Sequence, residues 1–196
     1  MRKAELTRMT ILDAALALAS RVGFAGLTIG KLADELRMSK SGLFAHFGSK
    51  EALAIGVLDT AAEKFVEAVL KPGINAPRGL ARLWALFKAW LAWDQKLDLP
   101  GGCLFVAASI ELDDQPGPVR DKLVSLQRDW HDSLAAAARS AIREGHFRPD
   151  VDADQFAFET CGIAFSYHHW SRLMRDVRAS ERALLAFERL IENAQP

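Results

Sequence analysis

The chain has 196 residues, 25 Lys and Arg against 25 Asp and Glu, and half of its residues are hydrophobic, a composition that excludes a disordered or fibrous protein. Its formal charge is zero, and that balance taken alone argues against a nucleic-acid partner. The two cysteines, Cys103 and Cys161, form no CxxC or zinc spacing and read as small apolar side chains. No metal and no cofactor is expected. Neither a signal-type apolar stretch nor a charge-free run of membrane length follows Met1, so the reading is a cytoplasmic chain without a membrane partner.

Helical periodicity runs through nearly every segment, and alternating strand-like runs do not appear; the fold class is all-α with nine helices. The first helix, about residues 4–22, carries Ile11, Leu12, Ala15, Leu16 and Ala19 on one stripe and stops at Gly23, read as a left-handed C-cap. Thr28 caps a second, short helix, and Ser39 caps a third that ends near Phe47. The fourth opens at Ser49-Lys50-Glu51 and runs to Lys71-Pro72-Gly73. Pro and Gly then punctuate helical stretches at about 77–97, 102–113, 117–144, 152–174 and 178–194. This pattern suggests a small domain over residues 1–50 joined to a larger one over 51–196.

Residues 28–47 read as a helix-turn-helix: two short amphipathic helices flank the turn Arg37-Met38-Ser39, and Ala33 sits at the crossing. The outward face of the third helix, Lys40, Ser41, Gly42, Phe44, Ala45 and His46, is thin and carries a few donors, as a helix entering a major groove requires. Spacing alone fits two packed surface helices equally well. Charge location favours DNA. Residues 1–50 hold eight basic and four acidic side chains, a net of +4, and residues 51–196 hold the remaining 17 and 21, a net of −4. The neutral total conceals a basic head on an acidic body.

Residues 7–53, through Thr7-Arg8-Met9-Thr10-Ile11, Gly23-Phe24-Ala25-Gly26-Leu27-Thr28-Ile29 and Ser39-Lys40-Ser41-Gly42-Leu43-Phe44-Ala45-His46-Phe47, resemble the N-terminal domain of the TetR family of transcriptional regulators. The resemblance implies that Thr28 meets a phosphate, that Lys40, Ser41 and Gly42 face the major groove, and that Phe44, His46 and Lys50 contact the DNA backbone. Two positions depart from the family pattern. Phe44 stands where Tyr is usual and forgoes a hydroxyl, and Arg37 stands where Gly is common, so a left-handed turn there costs roughly 1 kcal/mol.

In the body, Trp84, Phe87, Trp90, Trp93, Phe105 and Trp130 fall on three neighbouring helical stretches. Aromatic residues at helical spacing suit a core as well as a pocket. In TetR-like proteins the corresponding helices enclose an effector cavity, which implies a flat, largely apolar small molecule oriented by polar groups such as Ser109, Glu111, Tyr167 or His168. Helix 152–174 is apolar on two faces; with Phe158 and Phe165 there and Phe187, Leu190 and Ile191 on the last helix, the resemblance implies a two-fold homodimer. Enzyme signatures are weak: His168 and His169 diverge on a helix, Cys161 and His168 lie two turns apart, and no phosphate-cradling Gly motif occurs. The reading is a regulator, not an enzyme: its expected partners are a palindromic double-stranded operator and a small effector that releases a repressor. The alternative is a helical small-molecule binding protein or enzyme whose N-terminal helices only pack.

Overall fold

In a computed structural model, residues 3–97 and 99–196 are described, the side chains of residues 3–6 and of Asp94 excepted. Arg2 of the basic count thus lies outside the described residues, as do the side chains of Lys3 and Glu5. The regular secondary structure of the described residues is all helical, with no strand among them. The helices are α1 (Lys3–Gly26), α2 (Ile29–Leu36), α3 (Lys40–Phe47), α4 (Lys50–Phe65), α5 (Lys71–Asn75), α6 (Leu80–Leu91), α7 (Trp93–Lys96), α8 (Leu104–Glu111), α9 (Pro118–Arg143), α10 (Ala153–His168) and α11 (Ala179–Ala194). A π turn at Val66–Leu70 carries α4 into α5, and Ala92 alone separates α6 from α7, so the described rods number nine once continuous stretches are joined. A second π turn, His169–Leu173, extends α10.

Two compact units emerge, residues 1–64 with 97–125, and residues 65–96 with 126–196. The chain passes between them at the end of α4, after α7 and inside α9, and within the first unit α8 packs on α1. The core of the first unit is built from Leu12, Ala15, Leu16 and Ala19 of α1, Leu32 and Ala33 of α2, Leu43 of α3, Leu53, Val57 and Leu58 of α4, and Leu104 and Ala108 of α8. Residues Thr7–Gly26 are long and apolar enough to cross a membrane on composition alone. Here that apolar stripe is buried in the core. Gly56 brings α4 close to α1: a Cβ there would come within 3.0 Å of Leu12 Cδ2.

The second unit is centred on aromatic rings. Phe87 and Phe187 stack face to face with centroids 4.0 Å apart, and Trp84 meets Phe187 edge-on at 5.1 Å. Phe156 adds a further edge to Phe187, and Phe147 packs on Phe156. Asp152 caps α10 by accepting the N–H groups of Asp154 and Gln155, which places it at a helix start, as the spacing implied. Arg148 holds the end of α11: its backbone N–H donates to Ala194, and its guanidinium donates to the carbonyls of Asn193 and Gln195.

One local expectation is corrected. Gly23 does have positive φ (71°), but its ψ is 175°, the extended mirror region open essentially to glycine alone, not the left-handed helical one. The chain bends there and continues for one more helical turn to Gly26, with Leu27 N–H donating to Gly23 O.

Candidate nucleic-acid interface

The reading unit is assembled by side-chain caps. Thr28, in extended conformation, accepts the N–H of Lys31 through its hydroxyl and starts α2. Arg37 ends α2 in the left-handed region (φ 53°, ψ 39°), and the N–H of Met38 returns to Ala33 O at 2.9 Å, a Schellman-type closure. The strained turn that the sequence implied at Arg37 is therefore present. Ser39 accepts the N–H of Gly42 at 3.1 Å and starts α3, and Gly48 (φ 73°) closes it on Phe44 O. Leu32, Ala33, Leu43 and Phe47 are buried and fix the crossing of the two helices.

The residues left outside are those that the sequence singled out. Lys40, Ser41, Phe44 and Ala45 are exposed, Gly42 and His46 are half-buried, and Phe44 keeps 51% of its surface free. The face is low as well as exposed. Gly30 leaves room for the Lys40 stem, since a Cβ there would lie 3.5 Å from Lys40 Cε, and a Cβ on Gly42 would press on Ser39 Oγ at 2.9 Å.

Electrostatics sharpen this surface. Arg21 forms a two-pronged bond to Glu35 (3.0 and 3.2 Å), and Asp13 pairs with Lys64, so two of the head's acidic groups are neutralised locally. Among the described residues, no ion pair engages Lys31, Arg37 or Lys40. The guanidinium of Arg8 lies over the Phe47 ring. Lys50 is exposed at the start of α4 and donates to Ala25 O at 3.0 Å.

The sequence of the chain matches the family described as Bacterial regulatory proteins, tetR family, over residues 11–57, and the family described as Tetracyclin repressor-like, C-terminal domain, over residues 79–187. The chain belongs to the TetR family. A TetR transcriptional regulator from Chloroflexus aurantiacus shares the fold at a TM-score of 0.87 and 26% identity, covering 98% of this chain and 96% of its own. AibR, solved with isovaleryl coenzyme A and operator DNA, gives 0.76 and 22%, with 96% and 98% covered. The ketosteroid transcriptional regulator KstR2 of Mycobacterium tuberculosis gives 0.71 and 19%, with 97% and 95% covered. No curated protein matches the chain in sequence.

The remaining candidate residues of this TetR-family chain separate by environment. In the second unit Phe87 and Trp90 are buried, Trp84 and Trp130 half-buried, and Tyr167 meets Trp90 edge-on at 5.7 Å. Trp130 packs edge-on against Phe65, and both Trp130 and Cys161 pack on the buried cluster of Leu134, Ala135 and Ala157. His168 is half-buried, and desolvation, then the nearby Arg172 charge, holds its pKa below the ordinary value. Burial pushes the Cys161 thiol up to about 11, far from a reactive thiolate. Phe105 and Ser109 lie on α8 in the first unit, and the Ser109 hydroxyl donates to Val106 O. Glu111, also on α8, is engaged by the backbone: its carboxylate accepts the N–H of Phe24 at 2.8 Å and that of Ala25.

The interface residues also divide. Phe158 (66%) and Phe165 (41%) are exposed on α10, and Leu190 is half-buried. Phe187 and Ile191 are buried inside the second unit, Phe187 completely, because the α11 stripe on which they lie faces α6 and α10. They are core, not surface. Sequence reasoning missed the Arg21–Glu35 pair and the Glu111 contact, whose partners lie 14 and 86 to 87 residues apart and share no motif.

Proposed function

We propose that this chain is a dimeric, ligand-responsive transcriptional repressor that reads a palindromic operator through α3 and leaves it when a small, largely apolar effector binds the body. The carrying observation is the α3 face: Lys40, Ser41 and Gly42 stand exposed on a helix whose crossing with α2 is fixed by buried residues and by caps at both ends. Lys40 is positioned to donate to guanine O6 or N7, and Thr28, Phe44, His46 and Lys50 flank it toward the phosphates. Lys50 exchanges its Ala25 carbonyl for a phosphate in this reading. Family membership makes a regulator of this kind the direct expectation, and AibR, which shares the fold, was solved in complex with isovaleryl coenzyme A and operator DNA.

Trp84, Trp90, Trp130, Tyr167 and His168 offer the flat apolar walls and few polar groups that such an effector needs, with Phe87 behind them. Phe158 and Phe165, one heptad apart on α10, supply the centre of a two-fold contact with Leu190 at its margin. Dimerisation sets two α3 helices about one DNA turn apart, or a multiple of it. The chain acts in the cytoplasm as a DNA-binding protein without catalytic activity. The test is a mobility-shift titration of the duplex flanking its own gene. Sequence-specific retention by the dimer is the expected result, and indifference to sequence would overturn the reading.

A further inference from the structure

Residue 111 is the one charged side chain of α8, at the end of an otherwise apolar or small-residue helix. Both of its carboxylate oxygens are committed to α1: Oε2 accepts the N–H of Phe24 at 2.8 Å, and Oε1 accepts the N–H of Ala25. These are the first amides after the Gly23 bend, where a Cβ would stand 2.6 Å from Oε2. The next residue, Gly26, leads into Leu27, fully buried, and then into Thr28, the cap of α2. Lys50 of α4 donates to the carbonyl of the same Ala25.

The start of the α8 segment is braced against α1 as well. Gly101 lies so close to α1 that a Cβ would come within 1.4 Å of Ser20 O, and its N–H donates to Ser20 Oγ at 3.3 Å. Leu104, Val106 and Ala108 bury the inner face between the two contacts. Two oxygens on two adjacent amides define a direction, which a single bond does not. From that fixed point only three residues, Ala25, Gly26 and Leu27, lie between the bound Phe24 and the cap of the reading unit.

We propose that Glu111 is a positioning residue for operator recognition: by gripping the Phe24 and Ala25 amides it sets the angle at which α2 and α3 leave α1. The inference rests on the DNA-reading function proposed above. A cleft of about 350 Å³, lined among others by Phe24, Ala25, Lys50, Glu111 and Arg120, opens beside the grip, so the contact is reachable by solvent and can break without displacing core side chains. The residue that fixes the reading angle thus belongs to α8, outside the helix-turn-helix itself.

The test compares the full-length protein with E111Q and E111A on the duplex flanking its own gene, together with amide exchange of the free proteins. Gln keeps one acceptor and loses the second, so affinity should fall in the order wild type, E111Q, E111A, the last by about tenfold or more. The Phe24 and Ala25 amides should exchange faster in both variants while those of Leu83 and Phe87 stay protected, a pattern that general unfolding would not give. Wild-type affinity in folded E111A would overturn the proposal, as would loss of fold in both variants, which would make Glu111 a structural prop. Failure of the wild type itself to bind the duplex would instead remove the DNA-reading function.

Discussion

At position 37 an arginine holds a backbone conformation that L side chains occupy at a cost of roughly 1–2 kcal/mol. Its side chain is exposed and its backbone completes the Schellman closure, so glycine should relieve the strain and lose part of the gain to a freer unfolded chain. R37G is expected to raise unfolding free energy by about 0.5–1 kcal/mol in a denaturant titration; an unchanged or lower midpoint would contradict the turn as described. Phe44 invites the converse experiment, because half of its ring faces outward without a polar atom. F44Y should tighten operator binding by about fivefold through one added phosphate bond, and a weaker complex would place the ring elsewhere. Gly101 offers no such latitude. Alanine there would drive a methyl into the Ser20 carbonyl, so G101A should lower the melting temperature of the whole chain or prevent folding.

Among the elements, α10 and α11 show how far a stripe of apolar residues can be read. Helical spacing marked Phe158, Phe165, Phe187, Leu190 and Ile191 as apolar positions with a partner to find, but not which partner. In the fold Phe187 is stacked on Phe87 and Phe158 is bare. The two therefore predict opposite outcomes: F158E should yield a folded monomer by sedimentation, and F187A should cost about 3–5 kcal/mol of stability in the same assay conditions. A dimeric F158E would remove α10 from the interface. Boundaries at Thr28 and Ser39 were legible because a side-chain cap is local chemistry between residues three apart. Gly23 was legible as a break but not as a bend, since its ψ is selected by the α8 contact, and Glu111 was legible only as a polar residue in an apolar helix. His168 adds a pH term to this layer. Its pKa is depressed in the fold, so the unfolded chain binds the proton first as pH falls below the ordinary value of 6.5. Stability should decline on acidification through that window, and H168Q should flatten the decline; an identical pH profile for both proteins would dismiss the term.

For the whole molecule, the zero net charge is the sum of a basic head and an acidic body, and two of the head's acidic residues are ion-paired, Glu35 with Arg21 and Asp13 with Lys64, while Lys31, Arg37 and Lys40 are left exposed. That distribution predicts strong salt dependence, with a log–log slope of about −0.9 per phosphate neutralised. It also separates contacts that hold DNA from the contact that reads it. The decisive measurement is the affinity of wild type and K40A for the cognate duplex and for a scrambled duplex across a salt series. The account predicts that K40A loses about tenfold or more on the cognate duplex and far less on the scrambled one, with the salt slope nearly kept. Equal affinity of K40A and wild type for the cognate duplex would contradict it.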